Sequence, residues 1–248
     1  RRSGNECDVS VANTIVAFNR AIVEATKDLV CAYKPNLAFY VAYGNEGVAA
    51  LNRTIMDIRI LAPDVPVILD AKFADIGNTN AGYAKFAFEY LGADAVTVNP
   101  YLGREALQPF LDRKDKGIFV LCRTSNPGSG EFQDYQDRGC SPLYQYVAFC
   151  VMNRWNENGN CAVVVGATCP RELGGVRLIV GDMPILIPGV GAQGGNVDTT
   201  VNEGKDSRGR GMIINSSRGI IFASSDADFA EAARRETMKL HILINQYR

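Results

Sequence analysis

The chain predicts an α/β fold of the (βα)8 TIM-barrel type, and three observations carry that expectation. Short apolar runs alternate with helical patterns along the sequence, the pattern of a parallel sheet. The runs are apolar at consecutive positions, as strands buried on both faces must be. Glycine-rich and charged stretches fall just after the runs, at the strand ends where barrels of this type keep their sites. No G-x-G-x-x-G follows the first visible strand, which argues against a doubly wound open sheet.

In order, residues 11–29 carry apolar residues at helical spacing, with Asn13 or Asp8 as caps. VCAYKPNLAFY is a strand-like run, 44–61 a helix, and a Pro-Asp-Val-Pro turn leads into the stretch 66–79, PVILDAKFADIGNT, which begins as the central strand and then turns toward a helix. Helices at 80–91, 103–112, 142–157, 170–180, 196–203 and 226–246 alternate with strands at 94–99, 117–123, 161–168, 184–189 and 211–217. That makes seven strands where a closed barrel needs eight. The sequence opens abruptly at Arg1-Arg2-Ser3-Gly4 without Met, so the first strand is expected to be missing and the rest to form one domain over 1–248.

Composition narrows the function. Hydrophobic residues are 47% and charged residues 21% of 248, ordinary for a globular protein of one large domain. Lys and Arg number 26 against 27 Asp and Glu, so no overall field draws nucleic acid or an anionic membrane. No apolar run reaches the roughly 20 residues that span a bilayer. The seven cysteines form no CxxC pair, and Cys31, Cys122 and Cys161 lie within apolar runs. Scattered, reduced thiols in a cytoplasmic setting fit that pattern, with an organelle left open. A metal site is disfavoured, because close thiolate pairs are absent and His241 is the only imidazole. His241 sits in a helical stretch near the end and reads as a packing or surface residue, so proton transfer must run through Lys or carboxylates.

The chemistry concentrates at three loops. The apolar run VIL ends in Asp70 and Lys72, which alternation along a strand should point to one side, and in Asp75, which follows the turn toward a helix and should face elsewhere. A solvated salt-bridge cluster is the plainer reading of these charges, but a strand this apolar delivers its last residues into a pocket. PGVGAQGG at 188–195 and NSSRGII at 215–221 follow successive strands. Their glycines would free backbone N–H groups for an anion, and Arg218 adds a fork that fits phosphate oxygens. Phosphate sites in these barrels follow strands seven and eight, so the sixth and seventh visible strands again imply one strand missing before them. RTSNPGSGEFQD at 123–134 adds neutral donors and acceptors.

Together LDAKFADIGNT, RTSNPGSGEFQ, IPGVGAQGG and INSSRGI resemble the orotidine 5′-monophosphate decarboxylases, the branch with TSNPG and GAQGG loops. The resemblance runs from about residue 34 to 221. DxKxxD alone is shared with other decarboxylase-like barrels; its combination with the other three loops is more specific. The resemblance implies a homodimer with active sites at the subunit interface, no metal or organic cofactor, and a small nucleotide as substrate. It also leaves room for fusion to an orotate phosphoribosyltransferase. Position by position it makes Lys72 the proton donor to C6 of the pyrimidine and places Asp70 beside the departing carboxylate. Lys34 would tie Asp70 and Lys72 into a charged network. Asp75 and Thr79 would serve the neighbouring subunit's site, Ser125 the pyrimidine, and Gln193 with Arg218 the phosphate, and Ile76 and Gly194 would join them in binding substrate. The family's ribose-binding aspartate on the first strand has no match, since Asp8 lies in a polar stretch. A Mg²⁺-dependent sugar-phosphate decarboxylase, similar to 3-keto-L-gulonate 6-phosphate decarboxylase, and a catalytically silent phosphate-binding barrel are the rivals. The TSNPG and GAQGG loops oppose the first, and a Lys between carboxylates opposes the second.

Overall fold

A computed structural model describes residues 10–191 and 194–248. Helix α1 (Val11–Thr26) leads to a short edge segment, then α2 (Leu37–Val41) and α3 (Gly44–Leu61) precede strand β1 (Ile68–Phe73). The alternation continues as α4 (Gly77–Lys85), β2 (Ala95–Val98), α5 (Gly103–Leu111), β3 (Gly117–Arg123), α6 (Gly130–Gln133), α7 (Leu143–Cys150), β4 (Cys161–Val165) and α8 (Pro170–Val180). It closes with β5 (Ile185–Pro188), α9 (Val197–Gly204), β6 (Met212–Asn215), α10 (Arg218–Ile221) and α11 (Phe229–Tyr247). The six strands are parallel and neighbours in chain order.

Alternation along the strands sorts their side chains into two layers. Leu69, Val96, Val120, Val163 and Ile187 pack outward under the helices, while Ile68, Ala95, Phe119, Ala162 and Leu186 form a second cluster inside the curl. Ala32 and Ile213, from opposite ends of the sheet, both pack on that inner cluster, so the sheet is rolled. This is a curled parallel (βα) sheet of the TIM-barrel type, and the double burial explains strands such as CAVVV, buried at every position.

The first visible strand differs from expectation. VCAYKPNLAFY pairs with β1 only at two bridges, Tyr33 to Val67 and Asn36 to Asp70, and its second half is α2. Pro35 has no N–H to extend a ladder. The Asn36 side chain then accepts from the Ala38 amide and starts the helix. Among the described residues no strand lies beyond this segment or beyond β6. Residues 1–9, including Asp8, fall outside the described residues. Ser10, rather than Asn13 or Asp8, is the N-cap of α1, its hydroxyl accepting from the Asn13 amide.

Cys122 and Cys161 are buried, as their apolar runs suggest, and Cys150 is buried too, but Cys31 is exposed. It lies on the edge segment, at the sparsely paired side of the sheet. Burial pushes the thiols of Cys122 and Cys161 up to about 12 and about 11, which keeps them as unreactive packing groups. Among the described residues no helix is long and apolar enough to cross a membrane.

Candidate active site

The inward layer changes character at the carboxyl ends of the strands. On the edge segment Ala32 is followed two residues on by Lys34, on β1 Ile68 by Asp70, and on β2 Ala95 by Thr97. These three polar side chains meet. Lys34 Nζ lies 2.7 Å from Asp70 Oδ2, and Lys72 Nζ lies 2.6 Å from Asp70 Oδ1. Asn36 Nδ2 reaches Oδ2 at 3.4 Å, and the Thr97 hydroxyl donates to Oδ1 at 3.0 Å. Asp70 is 9% exposed. Burial alone would raise its carboxyl, but the Lys34 ammonium, helped by Lys72, outweighs it and holds the group below its ordinary range. The Lys72 side chain is 48% exposed against 11% for Lys34, so one cation is sealed behind the carboxylate and the other faces the open mouth.

Asp70 and Lys72 come together as expected, but not through a regular strand. The β1–β2 register runs from Leu69 opposite Val96 to Phe73 opposite Val98, so Asp70, Ala71 and Lys72 all stand across from Thr97. Lys72 sits at φ +51°, the only non-glycine residue in that region among those described. Such a conformation costs about 1–2 kcal/mol for a side chain with a Cβ.

Asp75 turns away from this row. Its Oδ1 accepts from the Ile76 amide at 2.7 Å, and among the described residues it forms no ion pair. Buried Asn80 fixes the turn by donating to the Asp75 carbonyl at 2.6 Å and to the Ala106 carbonyl. Ile76, 63% exposed, and Thr79 then open α4 on the outside of the molecule. Thr79 borders an apolar groove with Leu37, Val41, Phe73, Tyr83 and Phe86.

Ser125 stands exposed in the loop after β3, against the backbone of Gly166 at the end of β4. Its loop is anchored from below. Buried Arg123 donates to the Thr124 carbonyl, to Ser129 Oγ and, at 3.0 Å, to Asp134 Oδ2. Gln133 exchanges hydrogen bonds with the Thr124 amide and hydroxyl, both at 2.8 Å.

Register brings the last two loops level, since Pro188 pairs with Asn215. Arg218 is exposed at the start of α10 and, among the described residues, has no carboxylate partner. The glycine loop differs from expectation. The amides of Gly191, Gly194 and Gly195 bond to carbonyls of Gly195, Gly191 and Gly189, so they close the loop instead of standing free. A Cβ on Gly195 would lie 2.6 Å from that of Ala167, so this turn needs glycine for space. Gln193 lies outside the described residues. His241 rests on α11 against the Leu29 carbonyl, away from these loops. Among the described residues no three His, Cys, Asp or Glu side chains gather as a metal site.

The family model described as orotidine 5′-phosphate decarboxylase / HUMPS matches residues 13–234. The chain belongs to that family. Curated orotidine 5′-phosphate decarboxylases of Ralstonia pickettii (strain 12J) and Janthinobacterium sp. (strain Marseille) are 53% and 49% identical to it. Those alignments cover 94% and 95% of this chain and 85% and 86% of the relatives. A solved Leishmania donovani OMP decarboxylase superposes with a TM-score of 0.84 at 37% identity, over 96% of this chain and 90% of that one. A UMP synthase of the same organism gives 0.86 at 40% identity over 95% of this chain and 51% of its own length. The family resemblance expected from the four loops is borne out, and with it an enzyme of the decarboxylase family.

Within that family's fold, sequence reasoning missed Thr97, Asn36, Arg123 and Gln133. Thr97 was legible in principle as the one hydroxyl in the apolar strand AVTV, and Arg123 as a charge ending the apolar run GIFVLC. Nothing in the sequence said which groups they would hold.

Proposed function

We propose that this chain decarboxylates orotidine 5′-monophosphate to uridine 5′-monophosphate, a step of pyrimidine biosynthesis, from a single (βα)8 domain without metal or organic cofactor. The observation that carries the reading is the Lys34–Asp70–Lys72 row at the mouth of the rolled sheet, in a member of this family. Loss of CO₂ breaks the bond to C6 and leaves its electron pair on that carbon, where resonance offers little help. An ammonium already fixed beside C6 stabilises that pair and then delivers the proton that becomes the C6 hydrogen. Lys72 is the cation open to the mouth, so it takes this part. Asp70 stands beside the departing carboxylate and, with Lys34 behind it, keeps Lys72 in place. Ser125 contacts the pyrimidine, and Gln193 and Arg218 hold the phosphate, with Gly194 shaping the loop beside it; the phosphate's remote binding energy helps orient the reacting ring.

The reading includes a homodimer. Asp75, Ile76 and Thr79 face away from their own Lys72 beside an apolar groove, which supports their service in a partner's site. Phe39 on α2 and Tyr101 after β2, 73% and 76% exposed, add apolar surface that a second copy would cover. The protein's place would be the cytoplasm, and likeness to about half of a UMP synthase makes a fused orotate phosphoribosyltransferase part of the same proposal.

The test is turnover of orotidine 5′-monophosphate by the purified protein, followed by loss of substrate absorbance and appearance of uridine 5′-monophosphate. Activity should survive EDTA; a loss restored by Mg²⁺ would favour the sugar-phosphate branch of such barrels. Mixing inactive Lys72→Ala with inactive Asp75→Ala subunits should restore activity once subunits exchange, and no recovery would rule out a shared site.

A further inference from the structure

We propose that Thr97 is a positioning residue for the reaction, its hydroxyl standing in for a missing strand neighbour and holding Lys72 in its left-handed backbone and Asp70 in its rotamer. The inference rests on the decarboxylase reading above. A hydroxyl offers one proton and two lone pairs. In Thr97 all three are spent within β1. Oγ1 accepts from the Ala71 amide at 3.0 Å and the Lys72 amide at 2.9 Å, and donates to Asp70 Oδ1 at 3.0 Å.

The register explains why a side chain is needed there. From Leu69 to Phe73 the chain advances four residues on β1 while its partner advances two, from Val96 to Val98. Two consecutive β1 amides therefore face a single β2 residue, and a regular ladder supplies no carbonyl for both. Thr97 is 1% exposed, so water is kept from replacing it. Without this hydroxyl two part-buried amides would lose their acceptor, and the +51° turn at Lys72 would lose the bond that holds its own N–H. The same Oδ1 takes the Lys72 ammonium at 2.6 Å, so one hydroxyl sets both ends of the pair: the backbone that carries the ammonium and the carboxylate that aims it. Phosphate and pyrimidine contacts lie on other loops and are untouched.

That division makes the inference testable. Thr97→Val keeps the shape and removes the hydroxyl. It should lower kcat by about 100-fold, the scale of a small misplacement of a reacting group, with KM changed by less than roughly threefold. Thr97→Ser should recover most of the loss. Hydrogen exchange at the Lys72 and Ala71 amides should quicken in Thr97→Val and not in Thr97→Ser. Exchange is read without turnover, so it stands even where wild type fails to decarboxylate, an outcome that would sink the decarboxylase reading alone. Should Thr97→Val not fold, Thr97→Cys, similar in size and a poor acceptor, takes its place against Thr97→Ser. Unchanged kcat in the Val or Cys variant, equal losses in the Ser variant, or a loss carried by KM would each overturn the proposal.

Discussion

At the amino-terminal end of the curled sheet, Arg177 of α8 gives its guanidinium to four backbone carbonyls, those of Gly181, Met183, Gly204 and Gly211, at 2.6–2.9 Å. At the carboxyl-terminal end, Lys34 and Lys72 give their ammoniums to one carboxylate, Asp70. Arg177 is 9% exposed and clamps the segments that enter β5 and β6. Its partners are peptide oxygens that cannot leave, so the cation has no freedom to act on anything else. Lys72 has one side-chain partner and an open face, so its ammonium keeps donors for another group at the mouth. The same type of charge is architectural where the backbone absorbs it and chemical where another side chain shares it.

The largest effect that would test this contrast is Lys72→Ala, expected to cut kcat by about 1,000-fold or more while the thermal midpoint barely moves. Arg177→Met should do the reverse. Four carbonyls lose their donor, so unfolding free energy should fall by about 3 kcal/mol, with kcat per folded molecule preserved. Calorimetry and turnover on the two variants separate the roles, and a stable but inactive Arg177→Met would break the comparison. A smaller effect is expected at Gly166, where a Cβ would lie 2.9 Å from that of Ser125. Gly166→Ala should push the Ser125 loop outward and raise KM roughly 10-fold, an effect below that of losing the ammonium. The smallest is a pH term. Asp70 is held below its ordinary 3.8, so its share of stability is present above that value. That share is lost as pH falls through the lower folded value. In urea titrations the decline below about pH 4 should be shallower in Asp70→Asn than in wild type.

The elements that were legible carry their own boundaries. Helix α8 was expected at 170–180 and occupies Pro170–Val180, because Pro170 suits a first helical turn and Gly181 leaves it at φ +56°. Helix α3 and strand β3 likewise match their expected limits. The edge segment was misread past Asn36, since LAFYV is apolar enough for either a strand or a short helix and only the cap at Asn36 decides. The glycine loop was read correctly as a turn, but glycine says nothing about whether an amide stays free or closes the loop on itself. Asp75 was correctly set apart from Asp70 and Lys72, because the chain turns between them.

By itself the sequence determined the class of fold, the ends of most elements and the residues that can carry charge at the site, because periodicity, caps and apolar runs are local properties. Only the tertiary structure decided how those charges are held. Thr97 lies 27 residues from Asp70 in the chain, and the broken register that sets it against three residues of β1 exists only once the two strands pair. A hydroxyl's partners depend on what stands across from it, and that is a property of the folded sheet.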